Sequence, residues 1–152
     1  MQNLLEELPL QSHRNDGFGF LLSDISRLMR RAFQSRLRDT DLTLAQARAL
    51  VHLSRREGLR QVELAELLEI QPINVARIVD QLAAKELVER RADPTDRRAY
   101  RLFLTPRAAQ PLANIKQVAA AIRAHALRNL DPEQAALAAS VLQAIRDNLA
   151  AP

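Results

Sequence analysis

Between Val62 and Thr105 the spacing of apolar residues changes period. Val62 to Leu68 sets Leu64, Leu67 and Leu68 at helical spacing, with Ala65 where a second helix must come close. After Glu69-Ile70-Gln71, Pro72 stands where that second helix begins, since the N–H it lacks would be unpaired there anyway. Val75, Ile78, Val79 and Leu82 then recur at i, i+3, i+4 and i+7, which makes one apolar stripe and turns it to a core. Beyond Leu82 the period falls to two. Leu87 to Arg91 and Ala99 to Thr105 flank Ala92 to Arg98, and Tyr100, Leu102 and Leu104 alternate as in a strand. The intervening loop holds the turn formers Asp93 and Pro94, so the pattern predicts a β-hairpin.

The flanks read as helices. Leu21, Ile25, Leu28, Met29, Ala32 and Leu37 trace a stripe that predicts a first helix from Gly17 to about Arg38. Thr43 and Gln46 have capping-box spacing, so a second helix runs to about Glu57 and stops at Gly58. Pro106 opens a long helix containing Leu112, Ile115, Val118, Ala119 and Ile122, in which Pro111 either displaces the start or kinks the axis. Asp131-Pro132-Glu133-Gln134 combines an N-cap, proline at the first helical position and a capping-box glutamine. The last helix then carries a stripe of Ala138, Val141, Leu142, Ile145 and Leu149, widened by Ala135, Ala136, Leu137 and Ala139. That is too much apolar surface for a monomer's exterior, so Val141, Leu142, Ile145 and Leu149 are expected at a homodimer interface. The competing reading is a helix buried within one chain. Leu4, Leu5, Leu8 and Leu10 form an apolar arm too short to bury itself, expected to pack on another subunit or to stay unordered.

The resulting expectation is a mainly α protein with a small β-hairpin wing: a winged helix-turn-helix with N- and C-terminal dimerisation helices. Residues 1–40 hold the arm and first helix, 41–105 the winged region, and 106–152 the C-terminal dimerisation helices. With 47% hydrophobic but only 3% aromatic residues, the core must be built from Leu, Ile, Val and Ala.

Charge sharpens this picture locally. Twenty of the 22 basic residues are arginine, which a GC-rich genome would also give, so the net +4 says little by itself. Its placement says more. From Gln71 to Arg107, Arg77, Lys85, Arg90, Arg91, Arg97, Arg98, Arg101 and Arg107 stand against Asp80, Glu86, Glu89, Asp93 and Asp96, an excess of three. Asn74, Arg77 and Gln81 share a face of the second helix, with Gln71 and Ile73 on its leading turn. Amides pair bidentately with adenine and guanidinium with guanine, so this face suits a major groove, although the same residues would also simply solvate an exposed helix. Arginines at a hairpin tip, here Arg97 and Arg98, suit a narrow minor groove, and Asp96 is spaced to hold the Arg98 side chain.

LAELLEIQPINVARIVDQL, KELVERR and DPTDRRAYRLFLT together resemble the MarR family of bacterial transcription regulators, in particular its SlyA-like branch. The resemblance places Gln71, Asn74 and Arg77 where the recognition helix meets the major groove and Arg98 at the wing tip, with Asp96 as its brace; Pro72 and Gln81, read from the helix start and its exposed face, complete the expected DNA-binding set. Glu69 departs from the pattern: it stands where such a turn commonly carries glycine, and positive φ is costly for a residue with a Cβ. The resemblance also implies a homodimer reading a pseudo-palindromic duplex, and a small aromatic carboxylate or phenolic effector that weakens DNA binding. Phe18, Phe20, Phe33 and His52 are candidates for lining the effector pocket, as well as for plain core.

Other chemistry finds little support. Without cysteine there are no disulfides, thiolate metal sites or thiol sensors. His13, His52 and His125 lack metal-ligand spacing, Gly17 and Gly19 do not form a phosphate loop, and no nucleophile motif appears, so neither a metal, a cofactor nor an enzyme is expected. Met1 to Ser12 lacks the form of a secretory signal and no apolar run approaches the roughly 18 residues of a membrane span, which predicts a cytoplasmic protein. Two alternatives to a sequence-specific repressor remain: a nucleoid-associated or anti-silencing DNA-binding protein, and a winged-helix protein-interaction module.

Overall fold

The computed structural model describes residues 13–152; the apolar arm Leu4, Leu5, Leu8 and Leu10 lies outside the described residues. The elements run α1 (His13–Arg36), α2 (Leu44–Arg55), β1 (Leu59–Arg60), α3 (Gln61–Leu68), α4 (Pro72–Ala84), β2 (Val88–Ala92), β3 (Tyr100–Leu104), α5 (Ala109–Ala126) and α6 (Pro132–Ala150). The fold is mainly helical with one small antiparallel sheet, as the periodicities predict.

The caps fall where the sequence puts them. Gln46 N–H donates to Thr43 Oγ1 at 3.2 Å while Thr43 N–H donates to Gln46 Oε1 at 3.1 Å, starting α2. Gln134 N–H to Asp131 Oδ1 at 2.8 Å, with the return bond at 3.1 Å, starts α6. Pro111 does not break α5, and the helix starts at Ala109 rather than at Pro106. A 3-10 turn, Pro106–Ala108, takes up the entry, and Pro111 falls in the first turn of α5, where its missing N–H has no intrahelical partner to lose. The first helix starts earlier than the glycines suggest, and Gly17 and Gly19 lie within it.

The hairpin gains a third strand. β1 is two residues long and pairs with β3 through Leu59↔Leu102 and Arg60↔Arg101, giving the order β1-β3-β2. Val88↔Leu104 through Ala92↔Tyr100 set the register of β2 on β3. Gly58, at φ +78, makes the corner into β1, and a Cβ there would meet the Phe103 ring at 3.4 Å.

One core joins α2, α3, α4 and the sheet. Leu50, Leu53, Leu59, Leu64, Leu68, Val75, Val79, Leu82 and Leu102 are fully buried, each giving roughly 1.5–3 kcal/mol of burial energy. Ile115 of α5 packs onto this cluster. By contrast, α6 has no buried residue and only sparse contact with the rest of the chain. Among the described residues the alternative of a helix buried within one chain is therefore wrong: α6 buries none of its residues, and its apolar stripe meets α1 only across an open groove.

Candidate nucleic-acid interface

Two helix ends set the recognition helix. Glu69 takes the left-handed conformation, φ 57 and ψ 42, despite its Cβ. Its N–H bonds to Glu66 O at 3.1 Å and the Ile70 N–H to Ala65 O at 3.2 Å, the crossed pair of a Schellman motif. The glycine-like turn thus survives the substitution. α4 ends the same way: Glu86 has φ 58, its N–H reaches Ala83 O at 2.9 Å, and Leu87 N–H reaches Leu82 O at 3.0 Å. With Leu82 and Leu87 both buried, core packing holds this second positive φ.

Gln71 is the N-cap of α4 and Pro72 its first residue. Val75, Ile78, Val79 and Leu82 face the core, which leaves Gln71, Pro72, Ile73, Asn74, Arg77 and Gln81 exposed. Gln81 is also tied down: its Oε1 accepts Gln46 Nε2 at 2.9 Å, linking the recognition helix to the capping glutamine of α2.

The wing is fixed at its base and open at its tip. Asp93, in the sequence merely a turn former, is buried, and its Oδ2 accepts Arg60 Nε at 2.9 Å and Arg101 Nε at 3.0 Å. Its Oδ1 accepts the Thr95 N–H at 2.9 Å and the Thr95 hydroxyl at 2.8 Å. The bonds from Thr95, then those from Arg101 and Arg60, outweigh desolvation and hold this carboxyl far below the usual aspartate range. Asp96 corrects one expectation. Its Oδ1 accepts the backbone N–H of Arg98 at 2.9 Å, so it fixes the chain at the tip and leaves the guanidinium unbound by it.

Arg90 joins wing to helix-turn-helix. From β2 it donates to Gln61 Oε1 at 2.9 Å and to Asp80 Oδ1 at 2.6 Å, spanning α3 and α4. Arg91 stacks 4.1 Å from the Phe103 ring centroid and pairs with Glu89. Lys85 pairs with Asp41 at 3.0 Å and Arg107 pairs with Glu86. Of the eight basic residues between Gln71 and Arg107, internal ion pairs therefore hold Lys85, Arg90, Arg91, Arg101 and Arg107. Among the described residues Arg77, Arg97 and Arg98 have no such partner, and all three are exposed.

The family profile described as "MarR family" matches residues 42–100, which is the stretch from α2 to the first residue of β3. The solved structure of transcriptional regulator PA3341 is 38% identical, covering 87% of this chain and 97% of that one, with a TM-score of 0.73. The chain belongs to the MarR family. A MarR regulator from Methanosarcina mazei Go1, 24% identical, superposes with a TM-score of 0.79 over 88% of this chain and 96% of that one, a likeness of fold. A candidate transcriptional regulatory protein for the hcr operon of Thauera aromatica is 42% identical over 60 residues, 40% of this chain. That match spans just over a third, 36%, of the curated relative's length.

Two further features of this MarR-family chain lie away from the recognition helix. A cavity of about 260 Å³ between α1, α2 and α5 is lined by Met29, Arg30, Phe33, Leu44, Ala47, Arg48, Val51, His52, Arg55 and Ile115. Burial, then Arg48 and Arg55, push the His52 pKa down, which favours neutral imidazole. Phe33 and His52 thus line one cavity. Phe18 and Phe20 do not, because α1 carries them toward its far end: Phe18 lines an apolar groove of about 540 Å³ against α6, and Phe20 is 81% exposed. Val141, Leu142 and Ile145 line the same groove, while Leu149 lies beyond it, 80% exposed. Among the described residues no helix is long and apolar enough to cross a membrane, and no His, Cys, Asp or Glu cluster could hold a metal ion.

Proposed function

We propose that the protein is a homodimeric repressor that binds a pseudo-palindromic operator and releases it when a small aromatic carboxylate or phenolic compound binds. One observation carries the DNA reading: of the eight basic side chains from Gln71 to Arg107, the three without an ion pair among the described residues are Arg77 on the recognition helix and Arg97 and Arg98 at the wing tip. In this reading Gln71, Asn74 and Arg77 meet base edges in the major groove, Pro72 sets the approach of the helix, and Gln81 anchors it through Gln46. Arg97 and Arg98 enter the adjacent minor groove, with Asp96 fixing the backbone beneath them.

The dimer rests on α1 and α6. Phe18, Leu21, Ile25, Leu137, Val141 and Leu142 present a continuous apolar face that one chain leaves exposed. Val141, Leu142, Ile145 and Leu149 supply the α6 half of the interface. Two recognition helices about 34 Å apart would then read half-sites one duplex turn apart. The effector site is the α1–α2–α5 cavity, a little smaller than the usual range of about 300–1,000 Å³ and so suited to a single ring. Arg30, Arg48 and Arg55 offer cationic partners for a carboxylate, and neutral His52 and Phe33 a surface for the ring. A ligand there wedges the dimerising helix α1 against α2 and alters the spacing of the recognition helices.

Selection of bound duplexes from a random pool tests this. The expected result is an inverted repeat with a fixed half-site spacing, whose binding weakens with salt more gently than binding to random duplex does. Equal retention of all sequences would overturn the proposal, whether a nonspecific nucleoid protein or a protein-interaction module were the cause.

A further inference from the structure

On the exposed face of α4 one side chain is out of character. Ile73 is 71% exposed, set among Gln71, Asn74 and Arg77. At about 100° per residue, it points about 170° away from the centre of the stripe formed by Val75, Ile78, Val79 and Leu82. It is therefore the most outward side chain in the first turn of the helix, with Arg77 one turn behind it. Asn74 and Gln81 lie on the flank. Among the described residues Ile73 belongs neither to the buried core nor to the residues packed against it, so the fold does not account for a branched alkyl group held in water at that point.

We propose that Ile73 is a specificity-determining residue that packs on the C5-methyl group of a thymine. The inference rests on the DNA-binding reading above and goes beyond it by naming a base. A helix whose leading turn enters the major groove meets only one alkyl group there, the thymine methyl; cytosine, adenine and guanine present polar edges. Polar side chains around Ile73 give hydrogen bonds to neighbouring bases, and the isoleucine gives preference for thymine at the position between them. Both copies of a dimer would make the contact, so the thymine recurs symmetrically in the two half-sites. Ile73 supports nothing inside the fold, so its replacement leaves the helix intact.

The test takes the duplex selected by the full-length protein and replaces each thymine in turn by deoxyuridine, which removes the methyl and nothing else. Affinity is measured by fluorescence anisotropy for the native protein, Ile73→Val and Ile73→Ala. The native protein is expected to lose about fourfold at one thymine per half-site, the effect of one buried methyl, and about 15-fold when both are replaced. Ile73→Val keeps that sensitivity and Ile73→Ala abolishes it. Native binding indifferent to every deoxyuridine, or an Ile73→Ala variant as sensitive as the native protein, overturns the inference while leaving sequence-specific binding intact. If no duplex is preferred at all, the DNA-reading proposal fails first and takes this one with it.

Discussion

Asp93 and Arg60 meet at 2.9 Å across the base of the wing, 33 positions apart in the chain. The carboxylate is buried and the guanidinium partly so, and the same oxygen takes Arg101 from β3. Because Arg60 belongs to β1 and Thr95 to the wing loop, this one side chain joins the short strand, the long strand and the loop. It adds to the two register pairs between β1 and β3, the Gly58 N–H to Leu102 O bond at 2.9 Å and the packing of Leu59 with Leu102 in the core. Asp93→Asn would leave two guanidinium groups facing a neutral amide. The expected result is weaker binding to most duplexes, as the wing tip loses its fixed position, with the base preference carried by Arg77 retained. Affinities on selected and random duplexes check it.

The same carboxyl gives a pH dependence of defined sign. Its folded pKa lies below the unfolded value of about 3.9, so it contributes stability above that pH and loses it progressively as acid is added below it. Acid unfolding followed by circular dichroism should show the gap between the native protein and Asp93→Asn narrowing from about pH 4 downward. A gap that stays constant across that range would mean the carboxylate's charge does not stabilise the wing.

Much of this was legible in the periodicity of the chain, and the exceptions have physical causes. The Val75, Ile78, Val79 and Leu82 stripe, the Thr43 and Asp131 caps and the hairpin all depend on local spacing and are found as expected. β1 was not, since two residues are too few to express a period and its pairing with β3 is non-local. Asp93 reads locally as a turn residue, and only the fold brings Arg60 to it. Positive φ at Glu86 left no mark either, because a glutamate does not announce a conformation that the packing of Leu82 and Leu87 imposes. The Arg77, Arg97 and Arg98 group was picked from the sequence by position. What distinguishes it from the other five cations, the lack of an ion pair, is a tertiary property.

Arg77 and Arg98 should fail differently. On the proposed DNA reading, Arg77→Ala removes a base-edge contact and is expected to cost roughly 1–3 kcal/mol of discrimination at one base pair per half-site. On the same reading, Arg98→Ala removes a contact to groove shape and phosphate and is expected to weaken binding to most duplexes alike. Binding measured across a set of single-base operator variants separates the two; a preference unchanged in Arg77→Ala removes that residue from the readers.

At Glu69 a stabilising change is available. A residue with a Cβ at φ 57 carries a conformational cost that glycine avoids, partly offset by glycine's greater freedom when unfolded. Glu69→Gly is therefore expected to raise stability by about 0.5–1 kcal/mol, with duplex affinity unchanged. Urea unfolding checks it, and a destabilised variant would mean that the Glu69 side chain makes a compensating contact.

The proposed dimer interface is tested on the apolar stripe of α6 where it faces the groove. Leu142 is 52% exposed and, with Ile145, lines the groove toward Phe18 and Ile25 of α1. Neither contributes to the buried core of the winged region, so Leu142→Asp with Ile145→Asp should leave that core folded. Charge placed on both positions must then be desolvated for two copies to associate, a cost of several kcal/mol that the apolar contact cannot offset. The double variant is expected to sediment as a monomer with an intact helical spectrum and little affinity for the inverted repeat, because one recognition helix reaches only one half-site. A variant that still sediments as a dimer would place the interface on a different face of the molecule.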